Sequence, residues 1–278
     1  YAMEWADIDN DGDLDLVTAS YDASLQKLSC YKSITNLVPL RKSALRALSA
    51  CHYIPECREK IFLVLYKALN NSNTEICEAA YECMQKFISG FPIDMEIVQQ
   101  MMRTVLQQIQ IPANMNLNLI TRLYYFAQLF PQLFNQEICK VLLKLLKYNL
   151  EHAIRNMHAG QKAGAQQFLK VAAAIIKLFE KIPPSHAPQE IIEMLCKLVL
   201  TTERALMMEP GSNLREPLMK YLVRFPSITL DYFTTDITAK EAQNSRFLIY
   251  MLDNKDNGEA FRSAFSSKVD RLAESGGE

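Results

Sequence analysis

Five aspartates on alternate positions near the start of the chain are the residues best suited to chemistry. They are Asp7, Asp9, Asp11, Asp13 and Asp15, and Gly12 lies among them. Carboxylates on alternate residues can converge on one point when the chain turns tightly, and glycine permits such a turn. Oxygen ligands arranged in this way suit a hard divalent cation. The segment therefore predicts a candidate calcium site, and calcium is the one cofactor that the sequence suggests.

An EF-hand does not account for the acidic segment, because its twelfth position requires a glutamate and Thr18 stands there. Residues 5–17 instead resemble the FG-GAP (VCBS-type) calcium loop of β-propellers, in which a strand follows the loop. That resemblance implies ligation by the backbone carbonyl of Asp13 and by the side chains of Asp7, Asp9, Asp11 and Asp15. A propeller closes from several blades, however, and no second copy of the motif occurs. Two interpretations stay open: a calcium site, or an isolated loop that binds calcium weakly or not at all.

The histidines and cysteines do not have the spacing of catalytic or metal sites. A zinc-protease helix needs two histidines four residues apart, whereas His152 and His158 are six residues apart. The 7 cysteines include no Cys-x-x-Cys pair, so we expect free thiols in a reducing compartment. With only 8 glycines, the chain has no Gly-x-Ser-x-Gly elbow and no glycine-rich phosphate loop. We therefore predict that it is not an enzyme.

The composition predicts an ample apolar core and no strong bulk charge. The 278 residues are 49% hydrophobic, with 31 acidic and 30 basic side chains. A net charge of -1 gives no general attraction to nucleic acid or to anionic membranes. The strongly apolar stretches are too short to span a bilayer, and no secretory signal opens the sequence. Contact with nucleic acid or with an anionic membrane would therefore need a local basic patch.

From about Ile34 onward, apolar residues recur with the spacing of amphipathic helices. The apolar face of the first predicted helix contains Leu40, Ala44, Ala47, Leu48, Cys51 and Ile54. The opposite face carries three basic candidates for protein binding, Arg41, Lys42 and Arg46. The next two predicted helices bury Ile61, Phe62, Leu65, Ala68 and Leu69, and then Ile76, Ala79, Ala80, Cys83, Met84 and Phe87. Ser72 and Glu75 have capping-box spacing before the third of these helices.

Apolar-proline pairs mark the ends of several predicted helices, because proline cannot continue a helix and restricts the residue before it. The prolines follow one another at intervals of 37, 39, 52 and 43 residues: Pro55, Pro92, Pro131, Pro183 and Pro226. Helix pairs with a period near 40 residues are typical of HEAT arrays. The long interval contains residues 156–165, which we expect to form a loop inserted between helices.

The predicted fold is all-α, a HEAT-type α-solenoid of five or six antiparallel helix pairs with a short non-helical N-terminal segment. We expect strands in at most an N-terminal hairpin. Two regions are predicted: an FG-GAP-like acidic segment over residues 1–29, and the HEAT-repeat α-solenoid over residues 30–278.

The order of the helix-packing residues resembles that of the TRRAP (transformation/transcription domain-associated protein) family. The resemblance is carried by residues 33–55, 58–61, 67–70, 78–79, 84–87, 202–206 and 215–227. It implies a piece of the HEAT region of a very large nuclear scaffold, which is related to the phosphatidylinositol-3-kinase-like kinases but lacks kinase activity. Such scaffolds belong to histone acetyltransferase assemblies of the SAGA and NuA4 types. The acidic N-terminal segment is not a family feature, which suggests a fusion, a misjoined gene model or a divergent start.

The resemblance also implies the partners: transcription activators and subunits of acetyltransferase complexes, met in the nucleus. Acidic activator segments would be steered by Arg41, Lys42 and Arg46. Two alternatives stay open at this point. One is an unrelated HEAT scaffold, such as a transport receptor or a phosphatase regulator, and the other is a calcium-binding FG-GAP adhesion protein.

Overall fold

The computed structural model describes residues 2–6, 15–19, 38–91, 93–110, 116–183, 188–207, 213–234 and 242–275. These residues form a two-stranded hairpin and twelve α-helices. The strands β1 (Ala2–Ala6) and β2 (Asp15–Ala19) pair antiparallel, with Ala2 opposite Ala19 and Ala6 opposite Asp15. The prediction of an all-α HEAT-type fold with a short non-helical N-terminal segment is confirmed.

The helices have the lengths of a repeat array. In chain order they are α1 (Val38–Ala50), α2 (Arg58–Ala68), α3 (Thr74–Gly90), α4 (Met95–Gln110), α5 (Leu117–Leu129), α6 (Gln136–His158), α7 (Lys162–Phe179), α8 (Pro188–Ala205), α9 (Arg215–Leu222), α10 (Pro226–Thr234), α11 (Ala242–Asp253) and α12 (Gly258–Ser275). No helix in the described ranges combines the length and apolarity that crossing a bilayer requires.

The predicted apolar-proline corners lie at helix boundaries. α3 ends one residue before Phe91, whose backbone is extended with φ of -146° and ψ of 130°. α5 ends one residue before Phe130, and a short 3-10 turn begins at Pro131. Pro226 is the first residue of α10, a position where its missing N–H costs nothing. The corner prediction is therefore confirmed at these sites.

Contacts between Cα atoms divide the chain into two compact units, residues 1–100 and 101–278. In the first unit, α1 and α2 both pack against α3. Periodicity identified the apolar stripe of α3 correctly, since all its predicted members are buried: Ile76, Ala79, Ala80, Cys83, Met84 and Phe87. In α2, Ala68 is half-buried, and the other predicted residues are buried.

The cap of α3 differs from the prediction. Asn73, and not Ser72, is the N-cap, and its side-chain oxygen accepts hydrogen bonds from the backbone N–H groups of Glu75 and Ile76 at 2.9 and 3.3 Å. Asparagine and serine both serve well as N-caps, so composition alone does not choose between neighbours. Here the helix begins one residue later than the capping-box spacing suggests.

The apolar stripe predicted for α1 is wrong in part. Leu48 is buried as expected, but Leu40 is 46% exposed and Ala47 is also exposed, while Leu45 is buried instead. α1 carries two overlapping apolar stripes, and contact with α3 selects the one through Leu45 and Leu48. Ser49 is also buried, and its hydroxyl is satisfied because it donates to the backbone carbonyl of Arg46 at 2.9 Å.

In the second unit, helices two apart in the chain pack side by side, as stacked helix pairs require. α7 contacts α5 and α9, whereas α8 contacts α6 and α10, and α10 in turn contacts α12. In this unit α5, α7 and α9 thus form one layer, and α6, α8, α10 and α12 form another. The region boundary predicted between residues 29 and 30 lies outside the described residues and stays a prediction.

The loop predicted over residues 156–165 is wrong, because most of this segment is helical. α6 continues to His158 and α7 begins at Lys162, so the long proline interval is filled by longer helices. Gly160 has a φ of 76° and ends α6 in a Schellman motif, in which Gln161 N–H donates to the Asn156 carbonyl at 2.8 Å. A Cβ at Gly164 would lie 2.9 Å from Asn156 Nδ2, so this glycine permits close packing of α6 and α7.

A buried ion pair joins α8 to α9. Arg215 Nε lies 2.9 and 3.0 Å from the two carboxylate oxygens of Glu203, and its Nη2 lies 2.8 Å from Oε2. The guanidinium carbon also lies 4.8 Å from the ring centroid of Tyr250 on α11. Sequence reasoning noticed the two segments that contain Glu203 and Arg215 but did not pair them.

A second arginine secures the end of α7. Arg224 Nη1 donates to the carbonyl oxygens of Phe179 and Glu180 at 3.1 and 2.7 Å, and its Nη2 donates to that of Ile182 at 2.8 Å. The last carbonyls of a helix have no intrahelical donor and carry partial negative charge, which favours a cation there. Arg224 therefore fixes this corner from the following helix pair.

Candidate protein-binding site

The three basic residues predicted to bind protein all lie on α1 but differ in exposure. Arg46 is exposed, whereas Arg41 and Lys42 are half-buried. Lys42 Nζ lies 3.0 Å from Glu75 Oε2 on α3. Arg46 is therefore the most accessible of the three cations. Their role in binding stays a prediction.

The predicted calcium ligands lie almost wholly outside the described residues. Asp15 is the first residue of β2, opposite Ala6 of β1, and the other four aspartates fall in the stretch between these strands. In the described ranges, no three His, Cys, Asp or Glu side chains are grouped as a metal site would require. Calcium binding by Asp7, Asp9, Asp11, Asp13 and Asp15 stays a prediction, which calorimetric titration with Ca²⁺ would test.

An apolar groove with a basic edge lies between α6 and α8 in the second unit. Its volume is about 370 Å³. The apolar lining consists of Cys139, Leu143 and Ile191, which are buried, and Met194, which is 39% exposed. These four residues form what we call the groove floor. The remaining lining residues are polar or charged: Gln136, Lys140, Lys144, Lys147 and Glu190.

The sequence of α6 explains why a groove forms there. α6 contacts both α7 and α8, so its apolar surface is broad. Asn135 fixes the start of the helix, since its side-chain oxygen accepts the Ile138 N–H at 3.0 Å. Lys140, Lys144 and Lys147 recur at spacings of four and three residues, which places them on one face. We call these three residues the lysine rim.

The lysine rim is available to an acidic partner. Lys140 Nζ lies 3.3 Å from Glu137, and Lys147 Nζ lies 3.9 Å from Glu151, both within α6 and largely in solvent. Such exposed intrahelical pairs contribute only a few tenths of a kcal/mol and exchange easily. The charged residues that line the groove are three lysines and one glutamate, Glu190. Glu137 and Glu151 balance two of the lysines, but these exposed pairs exchange easily, and Lys144 has no ion pair within the described residues, so the rim can offer its ammonium groups to a carboxylate of a partner.

The floor of the groove is chemically inert near neutral pH. Burial raises the pKa of the Cys139 thiol to about 11. The thiol therefore stays neutral and behaves as a small apolar group. The apolar side chains of the groove floor therefore suit contact with a bulky apolar residue of a partner.

A smaller cavity of about 190 Å³ in the first unit has a mainly structural arginine at its edge. Arg58 Nε donates to the His52 carbonyl at 2.8 Å, and the guanidinium carbon lies 3.6 Å from the centroid of the Phe91 ring. Both contacts hold the corner between α1 and α2 against the end of α3. The cavity offers a partner less charge and less volume than the groove.

Sequence reasoning did not find the groove. Periodicity shows that Leu143 and Ile191 are buried, but it cannot show that α6 and α8 leave a gap between them. A usable signal was the lysine repeat at Lys140, Lys144 and Lys147, one helical turn apart. The same spacing also occurs on ordinary solvent-exposed helix faces. It therefore indicates a binding site only when the neighbouring groove is known.

The comparisons with known proteins point to one family. The family model "Tra1 HEAT repeat ring region" matches residues 11–276. The transformation/transcription domain-associated protein of Danio rerio is 38% identical over 257 residues, 90% of this chain and 7% of that protein. Its namesake from Mus musculus is 40% identical over 235 residues, 84% of this chain and 9% of that protein.

A more distant relative carries the name of the complexes to which it belongs. The "SAGA complex/NuA4 acetyltransferase complex subunit TRA1" of Saccharomyces cerevisiae is 24% identical over 231 residues, 80% of this chain and 6% of that protein. The chain thus spans less than a tenth of the length of these relatives. The matched family region begins inside the acidic segment, and the comparisons give no support to the FG-GAP resemblance.

Proposed function

Because this chain belongs to the TRRAP/Tra1 family through its HEAT-repeat ring region, we propose that it is a non-catalytic scaffold of a histone acetyltransferase coactivator and receives transcription activators. Family membership rules out the alternative of an unrelated HEAT scaffold. The names of the relatives place them in transcription, and that of the yeast relative in acetyltransferase complexes. We propose the same kind of complex, and hence the nucleus, for this chain.

The structural observation that supports the reception of activators is the groove between α6 and α8. Stacked helix pairs expose long edges to solvent, and grooves between them can hold an amphipathic helix. Activator segments that combine acidic and apolar residues are often disordered and fold when they bind. The apolar floor and the lysine rim match the two halves of such a segment. Ordering the segment costs free energy, so we expect affinity on the order of micromolar.

The basic residues of α1 have a different part in the proposal. Arg41, Lys42 and Arg46 would attract an acidic segment through their charge, which raises the rate of encounter more than the final affinity. Arg46 is the strongest candidate, because it is exposed. We propose no direct nucleic-acid or membrane contact, since the net charge of the chain is only -1.

Binding to the chain is expected to depend on salt and to be independent of nucleotide. A fluorescein-labelled peptide of about 20 residues, with glutamates on one face and leucines on the other, should bind with a micromolar Kd at low salt. Raising the salt from about 0.05 to 0.5 M should weaken binding several-fold, because screening reduces attraction to the basic residues. The measurement is fluorescence anisotropy, with a fluorescent ATP analogue titrated in parallel.

The control peptide has the same composition in scrambled order, which removes its amphipathic face. It should bind at least several-fold more weakly than the ordered peptide. Saturable binding of the ATP analogue would contradict the non-catalytic assignment. Lack of peptide binding at both salt concentrations would contradict the reception of activators and leave a purely architectural role.

A further inference from the structure

We infer that the groove between α6 and α8 is the docking site for an acidic amphipathic helix, with the acids of the helix on the lysine rim and one bulky apolar side chain on the groove floor. This inference rests on the proposed function, because it assigns activator reception to particular residues. It commits to one occupant, a helical peptide that is acidic on one face and apolar on the next.

The spacing of the lysine rim matches the spacing of a helix. Lys140, Lys144 and Lys147 lie on one face of α6 and extend over about 10 Å along its axis, at 1.5 Å per residue. Glutamates at equivalent spacing on a partner helix, lying along α6, would meet the three ammonium groups in turn. Lys144 has no ion pair within the described part of the chain, so it is the first cation available to such a partner.

The floor gives the groove its preference for an amphipathic partner over a simple polyanion. A phosphate backbone would gain from the three lysines but nothing from Leu143, Ile191 and Met194. An apolar side chain that covers Met194 removes surface from water, which is favourable by about 25 cal/mol per Å². The groove volume of about 370 Å³ has room for a large apolar side chain. Charge therefore orients the partner, and the floor holds it.

The test uses the whole chain and the same labelled acidic peptide. A triple variant of the lysine rim, Lys140→Ala, Lys144→Ala and Lys147→Ala, should bind the peptide at least 10-fold more weakly. Met194→Asp should have a similar effect, because it places a carboxylate on the floor, where the apolar side chain of the partner would lie. Met194 is partly exposed, so the fold should tolerate this change. Circular dichroism checks the helix content of each variant.

The matched control removes three lysines that do not line the groove, through Lys162→Ala, Lys170→Ala and Lys255→Ala. These residues are exposed, and the net charge changes by the same amount. This control should bind the peptide within 2-fold of the unmodified chain. A control as weak as the rim variant would show that the peptide responds only to overall charge, and it would overturn the groove assignment.

The other outcomes separate the groove from the broader proposal. If the unmodified chain binds the peptide and the rim and Met194→Asp variants bind it equally well, the groove assignment fails while activator reception stands. If the unmodified chain does not bind the peptide, both fail. Equal affinity for a DNA duplex that is insensitive to Met194→Asp, or a dimer of the chain that Met194→Asp dissociates, would also overturn the inference.

Discussion

Replacing Arg215 by methionine is expected to lower the free energy of unfolding by about 3–5 kcal/mol, because a buried carboxylate loses its counter-charge. The side chains of Arg215 and Glu203 are only 8% and 1% exposed, so water cannot take over the three hydrogen bonds of the pair. Urea denaturation followed by circular dichroism would measure the change as a lower midpoint.

Two further variants show whether the loss comes from the unpaired charge. Lys220→Met removes an exposed ion pair with Glu216 on the same helix, and it should cost no more than about 0.5 kcal/mol. The double variant Glu203→Leu with Arg215→Met should recover much of the lost stability, because an apolar pair needs no hydrogen bonds. Unchanged stability of the single Arg215 variant would show that the two side chains do not interact as described.

Leu65→Asp is expected to destabilise the first unit by more than about 4 kcal/mol, because it leaves a charge or an unpaired carboxyl in the core. Leu65 has no exposed surface, and its helix α2 packs against α3. Thermal unfolding followed by circular dichroism should show a large fall in Tm, or a variant that does not fold.

Leu63→Asp is the matched control for this change. Leu63 lies two residues away on α2 and is 42% exposed, so an aspartate there remains in contact with water. Its cost should stay below about 1 kcal/mol. Equal effects at the two positions would mean that the register of α2 is wrong.

The sequence predicts the helices well where each carries a single apolar stripe. α2 and α3 are of this kind, and nearly every residue predicted to be buried there is buried. α1 carries two overlapping stripes, so periodicity could not show that Leu45 rather than Leu40 faces α3. The choice is made by packing against a neighbour, which local spacing does not contain.

Features that depend on contact between two different helices could not be predicted in the same way. Glu203 and Arg215 are twelve residues apart on different helices, and nothing in their local patterns marks them as buried. The groove likewise requires the spacing of α6 and α8. The loop prediction for residues 156–165 failed because glycines occur in helical regions as well as in loops. Gly160 ends one helix, and Gly164 allows the next helix to pack closely.

Membership of an acetyltransferase coactivator is tested most directly by purifying the tagged full-length product of the gene from nuclear extract and assaying the eluate for histone acetyltransferase activity. We expect the activity to co-purify with the tagged protein, while the isolated 278-residue chain shows none. Recovery of the tagged protein without acetyltransferase activity, or activity in the isolated chain itself, would contradict a scaffold of this kind.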